Sequence, residues 1–409
     1  MSNKFFSKEH PLRIATRKSA LALAQTTMAA DAIVAANMNS NTATVSATIP
    51  ATDFVAVSAM DSAATPATVS AAAPATKMPT DSASNAEPLT YELVSMTTEG
   101  DRRLDKSLAS FGGKGVFIKE LEIALLENRA DIAIHSLKDM PAEVLPQFKL
   151  AAVLKREDPR DAFLSRGGAT GIRFMDLPAG ARVGTGSIRR IVQLKALRPD
   201  IEYVPIRGNI QTRIGKLAEL DGVVLAAAGL KRMGLADQVT EYFSTEQMLP
   251  ASGQGILAIE TLNVARQNLY SSSHLESDFN GCHPERSAKR EVEGSSDVSE
   301  SLAQILARAN DVETFCIASA EMAYLKALNA GCQFPVASFA EFVDGASCNT
   351  NNACDVAKTL KIRGIYWDEK SSRLLRAECM GALRLSSADC IERSKMLGIA
   401  LAQEIKKQL

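Results

Sequence analysis

The chain has 409 residues, 46% hydrophobic and 23% charged, a balance that supports cores for two or three domains of roughly 150 residues each. Lys and Arg total 46 against 47 Asp and Glu, so the formal net charge is -1 and no basic excess exists to neutralise a nucleic-acid backbone. No apolar run approaches the ~20 residues of a membrane span. The polar start, Met1 to Pro11, followed by Arg17-Lys18, lacks the order of an export signal, so a cytoplasmic location is expected. Seven cysteines, with no C-x-x-C pair and no His near Cys348 and Cys354, offer no metal-ligand pattern.

In chain order, Leu12 to Thr16 reads as a strand and Ala20 to about Asn37 as a helix. From about 39 to 88 the chain is almost all Ala, Thr, Ser, Val and Pro without a period of 2 or 3.6, and it is expected to be a disordered insertion. Tyr91 to Met96 is a second strand, Val116 to Asn128 an amphipathic helix, and Asp131 to His135 a strand directly after it. Arg182 to Thr185 leads into a helix over Ile188 to Leu197. Glu202 to Ile206 leads into one over Ile210 to Leu220, and Val223 to Ala227 into another. A second polar insertion is expected at about 263–301. Beyond Asp311 come a helix (Glu313 to Leu328), a strand-like Leu360 to Trp367 and a helix near Asp389 to Lys407. Strand–helix alternation with short connections predicts an α/β fold with mostly parallel sheets, closed by a small α+β C-terminal domain.

Ligands of parallel sheets bind at the carboxyl ends of strands, and basic residues gather there: Arg17 and Lys18, then Ser187 with Arg189 and Arg190, then Arg207 and Arg213, then Lys231 and Arg232. Singly each reads as a solvated charge, but four such clusters at equivalent ends are hard to explain by surface solvation and suit an anion, the guanidinium fork matching a carboxylate. Asp139, just beyond the strand ending at Ser136, is placed for acid–base work or for stabilising a cation; its bland alternative is an ion pair with Lys138. His135 reads as a satisfied core imidazole. The loop Phe111 to Gly115 lacks the spacing of a nucleotide phosphate loop. Cys332, between Gly331 and Gln333-Phe334-Pro335, sits on a tight turn suited to a reactive sulfur.

These motifs resemble the hydroxymethylbilane synthase (porphobilinogen deaminase) family. The resemblance is carried by Arg13 to Ser19, Phe111 to Gly115, Ala133 to Asp139, Arg156 to Phe163, Gly184 to Arg190, Arg207 to Asn209, Ala228 to Arg232, Leu249 to Gly255 and Gly331-Cys332, in order and over nearly the whole chain outside the insertions. It implies two lobes like those of periplasmic binding proteins, with the active site in the cleft between them, and a third domain. The expected division is 1–155 for the first lobe, completed by about 256–310, then 156–255 for the second lobe and 311–409 for the third domain. The implied activity is a transferase of porphyrin (haem, tetrapyrrole) biosynthesis. It condenses four porphobilinogen molecules head to tail with loss of ammonia, then releases the linear product by hydrolysis. The implied cofactor is a dipyrromethane on Cys332 through a thioether, held with Lys138, Ser187, Arg189, Arg190 and Arg207. Arg17, Arg156, Arg213 and Arg232 match substrate-binding positions, Asp139 matches the catalytic aspartate, and no metal is implied. The expected partner is the small-molecule substrate alone, acting on a monomer. The sequence departs from the usual pattern at Glu99, Ser110 and Met322. The competing readings are a non-catalytic two-lobed anion-binding protein and an inactive paralogue.

Overall fold

In a computed structural model, the described residues are 6–38, 89–98, 118–263, 295–330, 334–343 and 357–409, with backbone alone for 295–300. The first expected insertion, Phe111 to Gly115, Glu99, Ser110 and Cys332 therefore lie outside them.

The first sheet is built from β1 (Leu12–Arg17), β2 (Tyr91–Met96), β3 (Ile132–Ser136), β4 (Phe148–Val153) and β10 (Leu257–Leu262), in the order β2-β1-β3-β10-β4. β1 runs parallel to β2 and β3, whereas β10 is antiparallel to both its neighbours. The second sheet contains β5 (Asp161–Ser165), β6 (Arg182–Gly184), β7 (Glu202–Val204), β8 (Gly222–Ala226) and β9 (Glu241–Tyr242), in the order β7-β6-β8-β5-β9. Here β6 is parallel to β7 and β8, and β5 is the antiparallel member. The two sheets thus share one topology, and in each the reversed strand is the one contributed by the chain as it crosses from one unit to the other. The crossing segments lie side by side, Leu154 N donating to Leu257 O (3.0 Å) and Glu157 N to Gly255 O (3.1 Å).

Helices cover both sheets because the strands bury both faces. On the first sheet, α1 (Ala20–Met38) packs Ala29, Ala30 and Ile33 against Ile14, Ile132 and Ile259. The helix α2 (Lys119–Leu126) covers the other face with Leu121, Ala124 and Leu125. The second sheet carries α3 (Ile188–Leu197), α4 (Ile210–Gly215) and α5 (Ala227–Arg232). The helix expected to reach Leu220 ends at Gly215 and tightens into a 3-10 turn, Lys216–Ala218. The helix α6 (Ser295–Ala309) begins inside the stretch expected to be the second insertion, and its Ile305 and Leu306 join the α1 core.

The C-terminal unit is an antiparallel meander of β11 (Val336–Val343), β12 (Lys358–Asp368) and β13 (Arg373–Leu383), backed by α7 (Val312–Ala327) and α8 (Cys390–Lys406). Tyr324, fully buried, donates to Ile365 O at 3.0 Å and ties α7 to β12. The two helices touch backbone to backbone at Gly398, where a Cβ would stand 2.0 Å from Ala320 O. Gly398→Ala is therefore expected to push α8 off α7 and lower stability by about 1–3 kcal/mol, read as a fall in the denaturant midpoint at unchanged slope.

Candidate active site

β3 runs into a one-turn 3-10 helix, Leu137–Asp139. Leu137 is buried and donates its N–H to Ile256 O (3.0 Å), and Met140 N–H closes the turn on Leu137 O (3.0 Å). With the apolar flanks pinned inward, Lys138 is half-buried and Asp139 exposed at the carboxyl end of the first sheet. Arg17, the last residue of β1, ends its parallel strand on the same edge. His135, one turn back, lies 3.0 Å from Glu260 Oε2 inside the core, and burial together with Glu260 raises the Glu122 carboxyl well above its usual range.

Across from this edge, Ser187 stands at the start of α3, whose first turn carries Arg189 and Arg190. Both guanidiniums turn inward onto Asp161, the first residue of β5 and fully buried. Arg189 donates through Nη1 to Oδ2 (2.7 Å) and through Nη2 to Oδ1 (3.2 Å). Arg190 Nε donates to Oδ1 at 2.9 Å, as does Gln254 Nε2 at 3.0 Å. Burial alone would raise the Asp161 pKa, but the two guanidiniums outweigh it and hold the carboxyl well below the usual carboxylate range. Arg189 Nη1 also donates to Leu249 O and Arg190 Nη1 to Val224 O, both at 2.7 Å, while Arg190 Nη2 lies 2.7 Å from Asp161 Oδ1.

The two edges feel one another. Burial lowers the Lys138 ammonium to about 8; Asp139 and Asp161 oppose that shift, and Arg190 and Arg189 reinforce it. Burial also lowers Arg190 to about 10. Arg213, on α4, is lowered by burial and by Arg207, and is drawn the other way by Asp139. Its Nε donates to Gly208 O (2.7 Å), and the helix itself is capped by Asn209 Oδ1, which accepts from Thr212 N (2.8 Å). Among the described residues, Asp139, Asp161, Arg189 and Arg190 act on Lys138, and Asp139 and Arg207 act on Arg213, so charges from both edges meet in a partly buried place.

Two of the expected substrate-binding arginines are placed differently. Arg156 leaves the first unit with its guanidinium on Glu321 of α7 (Nη1 to Oε1, 2.7 Å) and its Nε on Gln254 O (2.9 Å). Glu321, wholly buried, also accepts from Gly253 N (2.6 Å) and Ala340 N (2.7 Å). Arg232 donates to Gly255 O (2.7 Å) in the crossing segment. Both sit at the seam between units and not among the cations facing Asp139. Met322 packs against the cluster of Ile118, Leu137 and Met140, so an apolar side chain suits that position. Among the described residues, no group of three or more His, Cys, Asp and Glu side chains could hold a metal ion, and no helix is long and apolar enough to cross a membrane.

Asp161, Gln254 and Glu321 escaped the sequence reading. The signal available for Asp161 was a lone carboxylate opening an otherwise apolar run, Asp161 to Leu164. Which arginines it would meet depends on tertiary packing.

These features define two α/β sheets of shared strand order whose facing edges carry Lys138 and Asp139 on one side and the Asp161–Arg189–Arg190 cluster on the other. Residues 68–269 match the family model for the porphobilinogen deaminase dipyrromethane cofactor binding domain, and residues 315–407 match that for the porphobilinogen deaminase C-terminal domain. A porphobilinogen deaminase from Syntrophus aciditrophicus is 41% identical over 318 residues, covering 77% of this chain and 84% of the relative. One from Chromobacterium violaceum is 42% identical over 322 residues, covering 78% and 84%. One from Clostridium kluyveri reaches 51% over 209 residues, covering 50% and 70%. The chain belongs to the porphobilinogen deaminase family, the transferases of tetrapyrrole biosynthesis that carry a dipyrromethane cofactor. Membership does not favour the non-catalytic anion-binding reading. A TRAP periplasmic solute binding protein from Roseobacter denitrificans overlaps 73% of this chain and 78% of its own at 11% identity, but with a TM-score of 0.33. The lobe assignment rests instead on the strand order shared by the two sheets.

Asp161→Asn leaves two buried guanidiniums without their counter-charge and is expected to cost about 3–5 kcal/mol of stability. The wild-type carboxyl is depressed on folding, so its stabilisation is full above the unfolded value near ~4 and fades as pH falls through the lower folded one. Thermal melts across the acid range should show that fall in the wild type and a flatter profile in the variant.

Proposed function

We propose that the chain condenses four porphobilinogen molecules head to tail, with loss of ammonia, and releases linear hydroxymethylbilane by hydrolysis. The observation that supports this is that Asp139 acts on Lys138 of its own turn and on Arg213 of the other lobe, with Arg189, Arg190 and Arg207 acting on those two cations. Each pyrrole of the substrate brings two carboxylates, so a lengthening product needs many cations, which this near-neutral chain concentrates at one place.

The same donor set fits a dipyrromethane, whose acetate and propionate groups need what Lys138, Arg189, Arg190 and Arg207 offer beside Ser187. When bound, that group supplies the nucleophilic pyrrole carbon from which the chain grows. Attachment is assigned to Cys332. Arg17 and Arg213 are placed to orient incoming carboxylates. Arg156 and Arg232 are better read as holding the crossing segments that set the distance between lobes. Departure of ammonia breaks the C–N bond with its electron pair and leaves a cationic methylene on the pyrrole, which the Asp139 carboxylate stabilises. After the C–C bond forms, the same carboxylate accepts the proton from the attacked ring carbon.

The division into 1–155 with 256–310, 156–255 and 311–409 follows the three sheets, and the protein is proposed to work as a cytoplasmic monomer on a small molecule, with no nucleic acid or membrane partner.

An intact-mass measurement should exceed the sequence mass by one dipyrromethane, and Cys332→Ala should abolish that excess. Asp139→Asn should keep both fold and attached cofactor while lowering turnover of porphobilinogen at least about 100-fold; near-normal rates would remove the role given to Asp139. Because Lys138 is lowered to about 8 and binds anions only when protonated, kcat/KM should decline as pH rises through that value.

A further inference from the structure

The segment Leu249 to Gly255 stands out in the sequence, yet none of the roles above uses its glutamine. Gln254 is almost wholly buried and sits on the segment that returns the chain from the second unit to the first. Its Nε2 donates to Asp161 Oδ1 (3.0 Å) and to Pro159 O (2.8 Å), and its Oε1 accepts from Lys138 Nζ (3.4 Å). Its main-chain oxygen accepts from Arg156 Nε at 2.9 Å. An amide has one donating and one accepting end, and only this orientation gives the carboxylate a donor and the ammonium an acceptor.

The backbone holds that side chain in place. Gly253 and Gly255 have φ of +73° and +91°, which other residues rarely adopt. A Cβ at Gly253 would lie 2.8 Å from Leu137 Cγ and 3.0 Å from Lys138 N, and one at Gly255 would lie 2.3 Å from Glu157 O. The turn is therefore clamped between the 3-10 turn bearing Lys138 and Asp139 and the outgoing crossing segment.

We propose that Gln254 is a positioning residue, an amide bridge that couples the Lys138–Asp139 turn of one lobe to the Asp161–Arg189–Arg190 cluster of the other. This deepens the functional reading above and rests on it. Through the bridge, carboxylates seated on the arginine pair and those seated on Lys138 share one frame, so successive pyrrole units meet Asp139 in the same register.

The test compares Gln254→Met, which keeps the length and removes both hydrogen bonds, with Gln254→Glu, which keeps the shape and adds a charge. Among the described residues, groups facing Lys138 include Asp139 on its own turn, Arg189 and Arg190 from α3, Asp161 from β5 and Gln254 itself. Lys138 titration is read directly, by peptide mass spectrometry of its acetylation rate against pH in the folded chain, and kcat/KM for porphobilinogen is read alongside. Loss of the acceptor in Gln254→Met should move the Lys138 midpoint about one pH unit down, and the added carboxylate in Gln254→Glu about one unit up. The alkaline limb of kcat/KM should follow in each case, with kcat/KM at neutral pH at least about tenfold lower in Gln254→Met. Midpoints that stay with the wild type, that move in the same direction in both variants, or that cannot be read because both variants unfold would overturn the proposal and leave Gln254 a purely structural residue. An inert wild-type chain would instead sink the functional reading, so the two failures are distinguishable.

Discussion

The fold is organised around one buried carboxylate shared by two guanidiniums. Asp161 cannot neutralise both Arg189 and Arg190, and the residual charge is held where α3 begins, facing the edge that bears Lys138 and Asp139. An isolated buried cation is costly, whereas one partly compensated by Asp161 and by main-chain oxygens can persist and still attract a carboxylate. The arrangement thus provides a fixed attraction for an anion at this edge. It also limits movement, because the side chains that would greet a ligand are already bonded to β5, Leu249 and Val224.

A second constraint is the seam where all three units meet. Glu321 on α7 accepts from Arg156 and from the main chain at Gly253 and Ala340, so one buried side chain touches the outgoing segment, the returning segment and β11. Phe339 lies between two guanidiniums, with Arg156 Cζ 4.9 Å and Arg363 Cζ 5.5 Å from its ring centroid. Arg363 in turn reaches Thr245 and Glu246 of the second unit. Arg156 and Arg232, expected from the sequence to meet substrate, are bonded within or beside this joint, Arg156 to Glu321 and Gln254 and Arg232 to Gly255.

Much of the fold was legible because β1, β3 and α3 carry strong local signals: apolar runs ending in basic or acidic residues, followed by helical periodicity. β4, β5 and β10 were not read as strands. β5 and β10 are short and buried on both faces, and a run such as Asp161–Ser165 shows no alternation from which to infer a strand. The start of α6 was hidden because Ser295 to Ser301 is polar, and its partner, α1, lies far back in the chain. In the site, the charges at strand ends were visible in the sequence as a cluster of Asp139, Lys138, Arg189 and Arg190, whereas the buried partner of the two arginines was not. Asp161 and Gln254 lie in motifs that stood out, but no role could be read for them because their importance lies in which side chains they meet across the lobes. Met322, read as a departure from pattern, finds an apolar environment against Leu137 and Met140.

The reversed strand β10 brings a last consequence. It completes the first sheet by pairing with β3, and His135 and Glu260, bonded across that pair, are 125 residues apart in the sequence. The sheet that bears Asp139 is therefore unfinished until the whole of the intervening unit has emerged from the ribosome. Such distant pairing carries a large loop-closure entropy before any contact rewards it. β10 therefore cannot fill its slot until the second unit has been synthesised, although the C-terminal unit is still to follow.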